Sequence, residues 1–404
     1  MQFTPRTAVA LAILWLPLPR LTAQQPVTRA DAVAAALTNG ARVALGRVDT
    51  TAARGLVRTA RAFPNPALSA SYTRDLPRYH ALIDLPLDLP WLRGARIGAA
   101  ESARDAARFG FAFERAAIRF DVETTYTRAL AAARHADLSR RTALDADSLR
   151  RIAELRRQVG DVSELDVRLA AVNAGQLENL ALDDSLAAVG TLLSLQLQMG
   201  LAGDEATIAL ADSLAAPPPG GDEAPEERAL LPIAAAEASL RSAERALAFT
   251  RRSRFAPNLE LGFDTGDPTS PTPHELLPVV GFSLPLPLFN WSGGEVTRAA
   301  AERDRARAQL DLTRRETTAA LVQARRTLAA ARTRLSRATG LVESADRVAA
   351  MSLRAYSEGA IPLASVLEAQ RNAREILARY IDDLAAADAA ARALRLLTTD
   401  PAEP

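Results

Sequence analysis

The chain of 404 residues has neither cysteine nor lysine. Without cysteine there is no disulfide, no thiolate metal site and no lipid-modified N-terminal Cys. The lack of lysine is a composition bias without functional content. All 49 basic residues are arginine, set against 48 acidic ones for a formal net charge of +1, and they alternate with Asp and Glu along helical segments. Such alternation reads as a solvated helix surface and argues against nucleic acid, whose binders gather positive charge on one face. Aromatic residues make up 5% of a chain that is 48% hydrophobic and rich in Ala, which favours long helices packed closely through small side chains. Only His80, His135 and His274 offer imidazoles. His80 and His274 are read in surface loops and His135 alone on a long helix, with no metal-ligand spacing among them. The Gly220-Gly221 pair sits in a proline-rich stretch, and no phosphate loop or nucleophile constellation is visible. No enzymatic activity, metal or cofactor is expected.

Long apolar runs are also scarce. One lies at the N-terminus, where Arg6, the stretch from Ala8 to Leu18, and Leu21-Thr22-Ala23 before Gln24 have the layout of a secretory signal over residues 1–23. No later stretch approaches the 18 or so consecutive apolar residues of a membrane helix, so any membrane crossing must be made by strands. A soluble periplasmic protein is the alternative at this point.

What the chain does have is a duplication. An offset of 199 residues carries Leu85-Pro86-Leu87 onto Leu284-Pro285-Leu286, Gly94 onto Gly293 and Gly160 onto Gly359 without a slip in register. The expected organisation is a first repeat over 24–216, a Pro/Gly linker over 217–225, a second repeat over 226–400 and a tail over 401–404. In each repeat an uninterrupted helical pattern of about 60 residues, Arg96 to Gln158 or Glu295 to Glu358, predicts a helix roughly 90 Å long. Leu321, Leu328, Leu335 and Val342 recur every seven residues, with Ala324, Ala331 and Ala338 three further on, as a coiled-coil seam requires. Each long helix is expected to stop at Gly160 or Gly359. A return helix then starts at Ser163 as N-cap or Pro362 as first-turn proline, and runs to about Gly200 or Leu397. Shorter helices, near Arg29 to Arg61 and Glu226 to Arg252, lead into each repeat.

Between leading and long helices, period-two runs predict strands of roughly 10 residues. Ile83, Leu85, Leu87 and Leu89 alternate with Asp84, Pro86, Asp88 and Pro90; Val280, Phe282, Leu284, Leu286 and Leu288 alternate with Gly281, Ser283, Pro285 and Pro287. Their hairpin partners are Leu68, Ala70 and Tyr72, and Leu259, Leu261 and Phe263, joined by loops around Pro77 to His80 and Asp267 to His274. Four such strands cannot close a membrane barrel, so copies of the chain must share one. The prolines fit places where a strand bends into a helix. A soluble hairpin packed on helices stays open as the other reading.

Together these features resemble the TolC-like outer-membrane efflux proteins over nearly the whole mature chain. The marks are Phe63-Pro64-Asn65-Pro66 and Phe255-Ala256-Pro257-Asn258 before the first strand of each repeat, the Leu-Pro-Leu strand ends followed by Gly94 or Gly293, and Tyr356-x-x-Gly359 with Val366-Leu367-x-Ala369. Arg61 to Pro66 further resembles the cobalt-zinc-cadmium branch. The resemblance implies a mainly α fold with a small β part. Its long helical hairpins would form a periplasmic α-barrel, and its four strands would join those of two other copies in a trimeric, twelve-stranded outer-membrane β-barrel in a Gram-negative-type bacterium. It implies a passive duct of a tripartite efflux or type I secretion system, with a periplasmic adaptor (membrane fusion protein), an inner-membrane pump of which the RND type is one candidate, and outer-membrane lipid as partners. It assigns Gly160, Asp161, Val162, Gly359, Ala360 and Ile361 to adaptor-docking tips. Asp166, Tyr356, Ser365 and Glu368 become the gate, with a Tyr356 hydroxyl to Asp166 carboxylate link and Glu368 as an acidic ring; Ile361 stands where some relatives place an Arg. The competing reading is a soluble periplasmic coiled-coil scaffold or adaptor, which would normally carry more strands than this chain offers.

Overall fold

A computed structural model describes residues 25–75, 77–201, 203–218, 230–253, 257–265, 276–284 and 291–398. The signal segment, the tail, the loop around Asp267 to His274, Leu286 and Leu288, and the linker beyond Pro218 lie outside the described residues.

The chain runs β1 (Gln25–Val27), α1 (Arg29–Asn39), α2 (Ala41–Arg61), β2 (Ala67–Tyr72), β3 (Tyr79–Pro86), α3 (Pro90–Gln158) and α4 (Glu164–Gln198). It continues through β4 (Ile208–Leu210), α5 (Leu231–Arg252), β5 (Asn258–Thr265), β6 (Leu277–Ser283), α6 (Gly293–Ser357) and α7 (Leu363–Thr398). At 69 and 65 residues, α3 and α6 are each roughly 100 Å long. Proline is absent from both after the first turn of α3, and Ala and Arg dominate, so nothing in the sequence breaks the hydrogen-bond ladder.

The heptad seam packs as expected. Ala324 and Leu328 of α6 meet Ala390 and Leu394 of α7, and Ala331 and Leu335 meet Leu384 and Ala387. Small residues let the axes approach, and leucines fill the space between. A second core gathers Val33, Ala36, Val43, Val122, Tyr126 and Leu195 from α1, α2, α3 and α4 against Val27 and Ile208 of β1 and β4.

The four longer strands form one antiparallel sheet in the order β2-β3-β5-β6, so the two repeats meet where β3 pairs with β5. Leu68, Ile83, Leu261 and Val280 stand in one row across all four strands, with Leu85, Leu259 and Phe282 in the next row on the same face. This apolar face is bare: Leu68 is 74% exposed and Val280 75%. The other face carries Ser69, Ser71, His80, Asp84, Glu260 and Asp264, and also Leu82 and Val279, so it is mixed rather than uniformly polar.

Several expectations are corrected. The strands are 6 to 8 residues long, and β3 ends at Pro86, whose ring cannot donate to the ladder. The chain then turns into α3 with Pro90 in its first turn, fastened by the buried Asp88 carboxylate that accepts from Arg96 at 2.9 Å. His80 belongs to β3, not to a loop; its Nδ1 lies 2.8 Å from Asp264. The first leading helix is two helices, broken at Gly40, whose extended backbone (φ −64°, ψ 136°) both ends α1 and starts α2. Pro362 precedes α7 rather than lying in its first turn. The parallel pair β1–β4 was not anticipated. Finally, α4 is long and apolar enough to cross a membrane by length and composition, and its apolar stretch is largely unburied. Asp183-Asp184 interrupts it, so no uninterrupted apolar run marks it in the sequence.

Candidate functional site at the hairpin tips

The two helical hairpins end side by side, and their turns are built alike. Gly160 has φ +81° and Gly359 φ +78°, a left-handed conformation that a side chain disfavours. Around Gly160, the Gly160 amide donates to the Arg157 carbonyl at 3.0 Å and the Asp161 amide to the Arg156 carbonyl at 2.9 Å. Around Gly359, the same two bonds run from Gly359 to Tyr356 at 3.0 Å and from Ala360 to Ala355 at 2.8 Å. Both are αL helix ends that satisfy otherwise orphaned carbonyls.

The helices leaving the turns start differently. Ser163 caps α4: the Asp166 amide donates to its hydroxyl at 3.1 Å, and its own amide and hydroxyl donate back to the Asp166 carboxylate at 3.2 and 2.8 Å. This is a capping box with Asp in the place of Glu. In α7 the corresponding places hold Pro362 and Ser365, with a Ser365 amide to Pro362 carbonyl bond of 3.2 Å. Beneath the turns, Leu149 and Ala153 of α3, Ala170 of α4, Tyr356 of α6, and Leu363 and Val366 of α7 form one buried cluster, so all four helices share a core at the tip.

The predicted tip residues come together. Gly160, Asp161, Gly359 and Ala360 are exposed, Val162 and Ile361 are half-buried, and with Arg156, Asp166 and Tyr356 they line a shallow depression of about 660 Å³. The expected link from the Tyr356 hydroxyl to Asp166 is not formed. Asp166 is engaged in its capping box, while the Tyr356 hydroxyl is buried with no hydrogen-bond partner among the described residues. Burial pushes the phenol's pKa up; the Arg156 guanidinium opposes this, and the carboxylates of Asp166 and Asp161 add to it. Asp166 is therefore close enough to be felt through space, but the amide and hydroxyl at the start of α4 hold its carboxylate. Ser365 and Glu368 stand one turn apart on an exposed face of α7. Ile361 leaves no cation at its position and packs against the shared cluster instead.

Sequence reasoning missed Arg156. Its guanidinium lies 2.7 to 2.8 Å from the Asp161 carboxylate, donates to the Tyr356 carbonyl at 2.7 Å and sits over the Tyr356 ring 4.9 Å from its centroid. The available signal was a break in the repeat, because the residue 199 positions on is Ala355.

A buried ionic network was also missed, since carboxylates at salt-bridge spacing were read as solvated. Asp388 and Arg392 of α7 are both buried, joined by two hydrogen bonds of 2.8 and 2.9 Å. Asp388 also accepts from Thr127 of α3 and from Arg29 of α1 at 3.4 Å, while Arg392 reaches Glu123 of α3 at 2.5 Å. It ties the far end of the second hairpin to the first repeat. His135 contacts Asp382 at 2.9 Å, and His274 lies outside the described residues. Among the described residues, no three His, Cys, Asp or Glu are grouped to hold a metal ion.

At the other end of the molecule, an aromatic pair borders the bare apolar sheet face. Tyr72 and Tyr79 pair 5.3 Å apart at its loop end. Trp91, in the first turn of α3, and Trp291, shortly before α6, are both more than half exposed. A band of apolar side chains bordered by aromatic rings is what a lipid-facing barrel wall presents.

Comparison with known proteins agrees with this layout. Residues 229–399 match the model of the family described as outer membrane efflux protein. The chain is 25% identical over 361 residues to the cobalt-zinc-cadmium resistance protein CzcC of Cupriavidus metallidurans, covering 88% of this chain and 86% of that one. Among solved structures, it resembles the CmeC outer membrane channel of Campylobacter jejuni with a TM-score of 0.78 at 15% identity, covering 100% of this chain and 95% of that one. A membrane protein from Pseudomonas aeruginosa gives 0.77 at 20% identity, covering 99% and 97%. VceC of Vibrio cholerae gives 0.74 at 16% identity, covering 92% and 96%. At these identities the structural likeness speaks for the fold.

Proposed function

We propose, from the match of residues 229–399 to the outer membrane efflux protein model and the likeness to its relatives, that the protein is the outer-membrane duct of a tripartite export machine. The observation that carries it is the bare apolar sheet face with the Tyr72–Tyr79 pair at its loop end. In water that face would be an exposed patch of a kind soluble proteins avoid, whereas in lipid it is solvated. Three copies would pool their strands into one barrel, since a single sheet leaves edge groups of β2 and β6 that hydrocarbon cannot hydrogen-bond. The open apolar stretch of α4 would be covered by the neighbouring protomer in the helical wall.

The tips around Gly160 to Val162 and Gly359 to Ile361 would receive a periplasmic adaptor, and an inner-membrane pump would supply the energy. Asp166, Tyr356, Ser365 and Glu368 would surround the closed entrance, with three Glu368 carboxylates forming an acidic ring. The name of the Cupriavidus relative puts divalent metal cations first among the candidate cargoes. The two repeats would act as units joined by the proline linker, after removal of residues 1–23.

The test is extraction and conductance. The duct reading expects a protein that leaves the membrane fraction only with detergent, migrates as a heat-sensitive trimer and forms ion-conducting pores in planar bilayers. A monomer soluble in plain buffer, with no conductance, would establish the scaffold reading instead.

A further inference from the structure

We propose that the loop end of the sheet carries a binding site for an acylated, phosphorylated glycolipid of the outer leaflet. One acyl chain lies in a hollow floored by Ala70 and Ala81, and Arg74 and Arg78 hold the phosphates. The inference rests on the duct reading, which puts the sheet in lipid with its loops away from the periplasmic helices, and it adds a ligand to that surface.

The hollow follows from the register. Ala70, Ala81 and Phe263 form one row across β2, β3 and β5. It lies between the row of Leu68, Ile83 and Leu261 and the row of Tyr72, Tyr79 and Thr265. Successive rows differ by two residues, so all three belong to the bare apolar face. Two alanines thus stand between large aliphatic side chains on one side and two tyrosines on the other, and the face dips there. The dip has a volume of about 380 Å³, with Phe263 on its β5 side. Tyr72, Tyr79 and Phe263 are each about half exposed, so their rings are available to a ligand. An even apolar wall would hold any acyl chain anywhere, whereas a dip walled by rings gives one chain a fixed seat.

The loop beside the hollow is fastened at Thr73. Its amide donates to the Arg78 carbonyl at 2.9 Å, and its hydroxyl lies 2.9 and 3.1 Å from the Asp75 and Pro77 carbonyls and 3.2 Å from His80 Nε2. The 2.8 Å contact of His80 Nδ1 with Asp264 ties the hairpin to β5. Arg74 and Arg78 stand on this loop, two positions after Tyr72 and one before Tyr79, both exposed and neither in an ion pair among the described residues. A loop already ordered gives up less entropy when its guanidinium groups close on phosphate, which their forked donors suit. Asp75 is the one carboxylate between Thr73 and Tyr79. Two cations on one loop match a sugar head with two phosphates better than a phospholipid, which offers one.

The experiment titrates the purified full-length trimer, held in a detergent with an uncharged head, with lipid A, monophosphoryl lipid A and phosphatidylglycerol, and counts bound lipid by native mass spectrometry. Lipid A is expected to bind once per protomer. Monophosphoryl lipid A should bind roughly ten-fold more weakly, the scale of one charge-assisted hydrogen bond, and phosphatidylglycerol more weakly still. Arg74→Gln and Arg78→Gln should each weaken lipid A by a similar factor, and Ala81→Leu, which fills the hollow, should weaken it with the trimer intact on unheated gels. Should Ala81→Leu not assemble, Ala70→Leu on the outermost strand fills the same space. Equal binding of lipid A and phosphatidylglycerol by the parent would overturn the glycolipid site, as would lipid A binding that ignores both arginine substitutions or the filled hollow. A parent that stays in solution without detergent would instead remove the duct reading, and the site with it.

Discussion

Ile83 of β3 lies directly opposite Leu261 of β5, and through this pair the first repeat joins the second within one sheet. Their row extends to Leu68 on one side and Val280 on the other, so a substitution in it acts on the bare apolar face, while one a single residue along the strand acts on the mixed face. Val280→Arg is expected to cost about 2–4 kcal/mol near the middle of the hydrocarbon and to abolish the heat-sensitive trimer. Ser69→Arg, on the opposite face, should leave assembly intact. Equal tolerance of both in a gel assay would mean that the apolar face never meets lipid.

Gly262 stands opposite Leu82, and a Cβ there would fall 2.3 Å from the Ala81 carbonyl oxygen and 2.7 Å from a Leu82 methyl. Backbone cannot yield as a side-chain end can, so Gly262→Ala should split β5 from β3. The expected outcome is loss of trimer with helical content retained, followed by circular dichroism. Unchanged assembly would show that the strands shift to accept the methyl group.

Asp388→Ala would leave Arg392, Arg29 and Thr127 without their shared carboxylate in a buried setting. Breaking such a site from one side costs about 3–5 kcal/mol. The unfolding midpoint in detergent should drop accordingly. Asp388→Asn, which keeps one acceptor oxygen, should lose less; if the two variants proved equal, charge rather than hydrogen bonding would be the source.

Glu368→Ala should weaken block by multivalent cations in single-channel recordings, and Ser365→Asp, one turn away on the same exposed face, should strengthen it. Block that ignores both substitutions would place α7's exposed face away from the constriction.

Much of this architecture could be read from the chain because a duplication repeats what local physics demands. The turns at Gly160 and Gly359 share a left-handed backbone and the same pair of hydrogen bonds, and the offset of 199 residues found both. Period two located the sheet and period seven the α6–α7 seam, since each period follows from the geometry of its element. What escaped notice had no local signature. Strands of three residues, such as β1 and β4, carry too little alternation to register, and they pair across more than 180 positions. Asp388 and Arg392 have the spacing of a solvated pair, and only the packing of α3 and α1 over them makes them buried. Arg156 escaped because attention to matched positions passes over a residue whose counterpart is Ala355. The Tyr356 to Asp166 link was expected from resemblance, and the capping box at Ser163 claimed the carboxylate first.

The sheet has one last implication. Neighbouring strands alternate in direction through β2, β3, β5 and β6, so the two outermost strands point opposite ways. Placed beside a second molecule, β6 would therefore meet β2 with the alternation preserved, and the same holds at every further seam however many molecules join. Parity alone lets the ring close without dictating its size. What fixes the number of subunits therefore lies outside the direction of the strands.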